Sequence, residues 1–162
     1  MILVTVGMQL GFDRLIRAID EIAPELPMPV VAQTGKGSYR AQNIKTLESI
    51  SPSEFDGMIK QTSLLVAHAG IGTVLTAQRF GKPLVLFPRR ASFGEHRNDH
   101  QLATVGQLEG RPGIVVAYEE ADLRDAIARS LATKMEGIAA QTAARRSSLT
   151  SAVERFIRTG TL

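Results

Sequence analysis

The stretch AHAGIGTVLTAQ, residues 67–78, sets His68, Gly70, Gly72 and Thr73 between an apolar run and a run of good helix formers. Glycine at a strand-to-helix turn lets the backbone approach a bound group closely. The free N–H groups and positive dipole end of the following helix favour an anion there, most often a phosphate. The same glycines also read as tight strand–helix packing, because GIGTVL (70–75) lacks the third glycine of the dinucleotide fingerprint and follows a mid-chain apolar run rather than the first. His68 before the turn, the Thr73 hydroxyl, and Arg89 and Arg90 at the end of the next apolar run would all reach one edge of a sheet. In open α/β sheets that edge is where ligands bind.

A second polar cluster follows in PRRASFGEHRNDHQ, residues 88–101. Arg89 and His96 are candidates for contact with a phosphate or sugar, the alternative being a merely solvated cationic face. Glu95 can bind a sugar hydroxyl or pair with Arg97, and the pair is the expectation. Asn98 can cap the helix that follows. His96 and His100 have i, i+4 spacing with Glu95 and Asp99 beside them, but the HExxH order is missing and no metal site is expected.

These groups need elements to position them. Short β-branched apolar runs alternate with helix-period segments, the pattern of a parallel sheet covered by helices on both faces. Residues 2–6, 28–34, 63–69, 82–88 and 113–118 read as strands, with 43–49 a weaker one. Phe12, Leu15, Ile16, Ile19 and Ile22 recur at helical spacing. Ser51-Pro52-Ser53-Glu54 combines an N-cap, a first-turn proline and a capping-box glutamate, so a helix starts at 51, with Phe55, Met58 and Ile59 on its buried face. Further helices are expected over 70–80, ended near Gly81, and over 98–109 and 119–133. A long last helix at about 135–158 carries an apolar stripe of Leu149, Val153, Phe156 and Ile157.

One domain spanning 1–162 suits the length, and 44% hydrophobic with 22% charged residues is an ordinary globular balance. Without cysteine there is no disulfide scaffold or thiolate metal site. MILVTVG lacks a basic n-region, and no apolar run approaches the ~18 residues needed to span a bilayer, so a cytoplasmic chain is expected. The net charge of +3 is dispersed, and 5% aromatics without tryptophan make a poor stacking platform. An anionic small molecule suits this chain better than nucleic acid.

HAGIGTVLTAQRFGKPLVLFPRR followed by GEHRNDHQLAT resembles the nucleotide-sugar-binding C-terminal domain of family 28 glycosyltransferases of the GT-B fold, and most closely the small catalytic subunits of two-subunit enzymes. Among these are the soluble half of the dolichol-linked N-acetylglucosaminyltransferase and subunits of bacterial exopolysaccharide glycosyltransferases. The resemblance runs from VTVG (4–7) to the helix after Gln101. It implies a single GT-B half-domain with a Rossmann-like parallel sheet, in which His68, Gly70, Gly72 and Thr73 hold the donor's diphosphate. It also implies that His100 and Gln101, with Asn98 and Asp99 just before them, grip the sugar. Thr76 stands where many relatives carry a glutamate that binds the ribose diol, and one hydroxyl cannot accept two hydrogen bonds from a diol as a carboxylate can.

The implied activity is inverting hexosyl transfer from a UDP-sugar to a lipid-linked saccharide, with no cofactor and with His68, Arg89 and His96 nearest the chemistry. The acceptor half and the general base would come from a membrane-anchored partner subunit on which the C-terminal helix could dock, holding the chain at the inner face of the membrane. Two other readings stay open. An NAD(P)-dependent oxidoreductase would use the glycine turn for pyrophosphate but lacks an acid at the end of the following strand. A non-catalytic nucleotide-binding subunit would bind donor without transfer.

Overall fold

The computed structural model describes residues 1–133. The expected final helix, with Leu149, Val153, Phe156 and Ile157, lies outside the described residues. In chain order the elements are β1 (Ile2–Thr5), α1 (Asp13–Ile22), β2 (Val30–Gln33), β3 (Lys45–Leu47), α2 (Pro52–Gln61), β4 (Leu64–His68), α3 (Ile71–Arg79), β5 (Leu84–Phe87), α4 (His100–Leu108), β6 (Ile114–Val116) and α5 (Leu123–Ala132). The six strands form one sheet in the order β3-β2-β1-β4-β5-β6, and every pairing is parallel.

Strict alternation along the apolar strands divides the core into two layers. Ile2, Val4, Leu64, Val66, Val85 and Phe87 face α1 and α5, whose Leu15, Ile16, Ile19, Leu123 and Ile127 are almost fully buried. Leu3, Leu65, Ala67, Leu84 and Leu86 face the other way, onto Ile59 of α2, Val74 and Ala77 of α3, and Val105 and Leu108 of α4. Helices therefore cover both faces, as the alternation of apolar runs and helical periods anticipates.

The Ser51 start is realised as a capping box: the Ser51 hydroxyl accepts from the Glu54 N–H at 3.4 Å, and the Glu54 carboxylate accepts from the Ser51 N–H at 3.1 Å. Gly81, with φ +59°, follows α3 as expected. Two boundaries differ. The helix read over 119–133 is a 3-10 turn at Glu120–Asp122 followed by α5, because the Asp122 carboxylate turns back to accept the N–H groups of Tyr118 and Glu119. The helix read from 98 begins at His100, and Asn98 does not cap it: Asp99 holds the N-cap position without a side-chain bond to the helix. No helix among the described residues is long and apolar enough to cross a membrane.

Leu65 lies in the central strand with no exposure, so Leu65→Ala should cost about 3 kcal/mol. Thr46→Ala, on the exposed edge strand, should stay within about 0.5 kcal/mol in the same urea unfolding experiment.

Candidate functional site

The strand order reverses between β1 and β4, and the crevice beyond the carboxyl ends of strands at such a switch point is where doubly wound sheets bind ligands. A cavity of about 300 Å³ opens there, lined by residues 6–10 of the loop after β1 together with His68, Arg89, His96 and Gln101. Four side chains from three elements thus meet at one place, because β4 delivers His68, β5 leads into Arg89 and His96, and α4 delivers Gln101.

Arg89 is not the solvated cation that the sequence left open. Its side chain is buried at 2% exposure, and its guanidinium donates to four backbone carbonyls: Gly11 at 2.6 Å, Val6 at 2.8 Å, Leu10 at 2.9 Å and Glu95 at 3.3 Å. The plane also stacks 4.5 Å over the Phe12 ring. Four of the five guanidinium N–H groups are engaged with protein, so the cation holds the loop after β1 in place from within the cavity wall. Burial pulls its pKa below the ordinary arginine value, with Glu95 opposing the shift. Arg90 is likewise turned to protein, donating to the Tyr118 carbonyl and pairing with Glu119 at 2.6 Å.

Gln101 is buried, and its Oε1 accepts from the N–H of Ala69 at 3.2 Å and of Arg89 at 3.0 Å, joining the ends of β4 and β5. Both partners are donors, which fixes the amide oxygen toward them and leaves the amide NH₂ for the cavity. Gln33 does the same job under β1. It accepts from the Thr5 hydroxyl at 2.9 Å and donates to the Gly7 carbonyl at 3.0 Å.

The His68 ring lies between two glycines. A β-carbon at Gly7 would come within 3.0 Å of its Cε1, and one at Gly70 would collide with its Nε2. The close approach that Gly70 permits is thus first to an imidazole. Burial, with Arg89 beside it, pushes His68 down to about 4, so the ring is neutral at physiological pH. Its Nδ1 is enclosed without a hydrogen-bond partner, as is the Nδ1 of His96. His96 packs edge-on against His100, with ring centroids 4.5 Å apart.

Gly72 is different: a β-carbon there would meet no atom within 4 Å, which removes the packing explanation at this position. α3 begins at Ile71 with no side-chain cap, and the first amides that find a carbonyl acceptor are those of Thr73 and Val74, both to Gly70. The amides of Ile71 and Gly72 are left open, three to four residues beyond His68. Thr73 stands beside them, while the Thr76 hydroxyl is directed back to the Gly72 carbonyl at 2.9 Å. Gly70, Gly72, Thr73 and Thr76 follow the first turns of α3 and do not line the cavity itself.

Asn98, Asp99 and His100 form an exposed rim at the start of α4. Asn98 Oδ1 pairs with His100 Nδ1, and the Asp99 carboxylate accepts from the Ala91 N–H at 2.8 Å. Glu95 pairs with Arg14, at 2.6 and 2.9 Å, and not with Arg97. Arg14 was invisible to sequence reasoning: nothing local shows that an arginine in the first turn of α1 will reach 81 residues along the chain. It sits 4.3 Å over the Phe87 ring and donates to the Pro88 carbonyl at 3.0 Å, fixing the loop that carries His96. Gln33 had a signal, since it is a polar residue closing an apolar strand.

This sheet, with a glycine turn and cavity at its switch point, defines a Rossmann-like α/β fold. A model of the glycosyltransferase family 28 C-terminal domain matches residues 1–157, and the chain belongs to that family. Solved structures similar in fold include the glycotransferase of kitacinnamycin, with TM-score 0.65 and 17% identity, covering 92% of this chain and 39% of that one. The calicheamicin glycosyltransferase CalG4 follows with TM-score 0.58 and 21% identity over 93% of this chain and 41% of that one. The glycosyltransferase VinC, in complex with dTDP, has TM-score 0.57 and 18% identity over 97% and 40%. This chain spans about two fifths of the length of these relatives. No match is found among curated proteins.

Two outcomes follow from the buried groups. Arg89→Met leaves four carbonyls without their donor and should lower the unfolding free energy by about 3 kcal/mol, with Arg89→Lys recovering only part because a point donor cannot serve all four. For His68 the folded pKa, about 4, lies below the ordinary 6.5, so the unfolded chain takes up its proton first. The stability from the neutral ring is present above pH 6.5 and is lost as pH falls toward 4, by about 3 kcal/mol. Urea unfolding across that window should show this decline in the wild type and a shallower one in His68→Asn.

Proposed function

We propose that this chain is the donor-binding catalytic subunit of a glycosyltransferase that moves a hexosyl group from a UDP-sugar to a lipid-linked acceptor in exopolysaccharide biosynthesis. The observation that carries the reading is the start of α3, where two open amides, an unobstructed Gly72 and the Thr73 hydroxyl sit at the switch point beside the cavity. A diphosphate oxygen there meets N–H donors and the positive end of a helix dipole. VinC was solved with dTDP, also a nucleoside diphosphate, which supports this class of ligand.

In the proposed reaction an acceptor hydroxyl oxygen attacks the anomeric carbon from the face opposite the diphosphate, the carbon–oxygen bond to the diphosphate breaks, and the configuration inverts. The proton leaves the acceptor hydroxyl for a base on the partner. The charge growing on the diphosphate is met by the α3 amides, by Thr73 and by the ring N–H of His68 or His96, while the Gln101 NH₂ faces the sugar with Asn98, Asp99 and His100 at the rim. No cofactor is assigned. Arg89 acts through the loop it holds. Thr76 already donates to Gly72, so it offers the ribose diol one acceptor atom, and donor affinity is correspondingly weaker than a glutamate would give.

In this reading the acceptor half is supplied by a second, membrane-anchored polypeptide. The chain sits on the cytoplasmic face of the membrane through that partner. Calorimetric titration with UDP and, in parallel, NADPH tests the reading. UDP binding that weakens about tenfold or more in Thr73→Val is the expected outcome, the loss of one hydrogen bond to a charged group. NADPH binding without UDP binding would replace the reading with an oxidoreductase, and UDP binding without sugar transfer in the reconstituted complex would leave a non-catalytic subunit.

A further inference from the structure

Glu95 is the residue before His96, and each of its polar groups is bonded within the chain. Its N–H donates to the Arg90 carbonyl at 3.2 Å, and its own carbonyl accepts from Arg89 at 3.3 Å. One carboxylate oxygen accepts from Arg14 Nε at 2.6 Å, and the other accepts from Arg14 Nη2 and from the Arg90 N–H, both at 2.9 Å. Arg14 Nη2 also donates to the Pro88 carbonyl, and its guanidinium lies 4.3 Å from the ring centre of Phe87, 5.1 Å from that of Phe93 and 5.4 Å from that of Phe12. A guanidinium bonded through two nitrogens to one carboxylate fixes direction as well as distance. Neither residue lines the cavity at the switch point; Arg14 borders a separate groove along α1, with Arg17 and Glu21. What the pair borders is His96, whose ring does line the cavity. A histidine ring is ordinarily aimed by a partner on one of its nitrogens, but among the described residues His96 Nδ1 has none, and the ring it packs against belongs to the exposed His100. The direction of the His96 ring therefore depends on the backbone that carries it, and Glu95 is the neighbour through which that backbone is tied to α1.

We propose that Arg14 and Glu95 are positioning residues for donor recognition: without touching the donor, they hold the His96 ring where it meets the diphosphate. The proposal rests on the donor-site reading above and assigns Glu95 a part in it other than binding a sugar hydroxyl, since three N–H groups already occupy its carboxylate. The chain doubles back at Gly94, with φ +68°, so Arg90 and Glu95 close a small ring of backbone and side-chain bonds. Arg14 pins that ring to α1, and Arg89 pins it to the loop after β1. Release of the carboxylate frees the ring on the α1 side, and His96 is the first residue beyond it. Two other roles for the pair differ in what they predict. A contact made by Arg14 itself would matter to binding whether or not His96 is present, and a purely structural pair would matter to stability and not to binding.

The test is a double-mutant cycle on the full chain, read by calorimetric titration with UDP, over Arg14→Met, Glu95→Gln, His96→Ala and the two doubles that contain His96→Ala. Each single variant should weaken UDP binding about tenfold, and adding Arg14→Met or Glu95→Gln to His96→Ala should weaken it by no more than about twofold further. Glu95→Gln keeps the shape of the side chain and carries the cycle if urea unfolding shows that Arg14→Met is not folded. A second readout needs no ligand. The chain has three histidines, so ring-labelled histidine gives an NMR spectrum in which each imidazole is followed separately. In Glu95→Gln the His96 signals should shift or broaden, while those of His68 stay within the wild-type line width. Unmoved His96 signals, equal losses of affinity with and without His96, or UDP binding within about twofold of wild type in both single variants of the pair would overturn the proposal. If wild type binds no UDP, the donor-site reading fails on its own, and the histidine spectrum still decides whether the pair places His96.

Discussion

A guanidinium taken out of water must find acceptors, and Arg89 finds them in the backbone of a loop that has no other reason to be still. Its bonds to Val6, Leu10 and Gly11 convert the residues after β1 from a polar connection into one wall of the cavity. The bond to the Glu95 carbonyl draws the opposite wall toward the same cation. Gln101 then closes the assembly by accepting the Arg89 backbone N–H together with that of Ala69. Remove the cation and the cavity loses two of its sides. That dependence is how an arginine bonded to backbone can govern the shape of the cavity.

The same burial decides the electrostatics. With Arg89 facing carbonyls and His68 held neutral, neither group places a full positive charge freely at the cavity. Charge on the diphosphate proposed above would be met instead by dipoles: the open amides at the start of α3, the NH₂ of Gln101 and an imidazole N–H. Dipoles fixed by the fold need little reorganisation when charge moves from sugar to leaving group, which is the useful property in a transfer reaction. The Arg14–Glu95 pair, with both side chains at most 13% exposed, stiffens the loop bearing His96 without bringing a free charge to the site.

Much of this arrangement is legible in one dimension. The apolar runs locate the strands, the Ser51–Glu54 pattern locates α2, and the alternation of strands with helical periods implies parallel crossovers, because each depends on neighbours a few residues apart. The glycine turn is legible for the same reason. What the sequence does not carry is direction. His68, Arg89, His96 and Gln101 are recognisable as polar residues at strand and helix ends, yet nothing in their spacing tells that Arg89 points inward to carbonyls while Gln101 keeps its NH₂ for the cavity. Glu95 is the plainest case: Arg97 is its neighbour in sequence, but Arg14 is its partner in space, since β5 and α1 pack together only once the sheet exists. Asn98 is a plausible cap by type, and it is displaced because the chain enters the helix one residue later, through Asp99.

The carbonyls that Arg89 reaches through β1 and its loop are 78 to 83 residues away along the chain. Contacts of such separation form only after the intervening loop-closure entropy has been overcome, late in folding. A nascent chain that has completed β1 through α3 owns its glycine turn but has no wall to set against it. Ligand competence therefore arrives with the last part of the sheet, and a partly folded chain presents no half-built site.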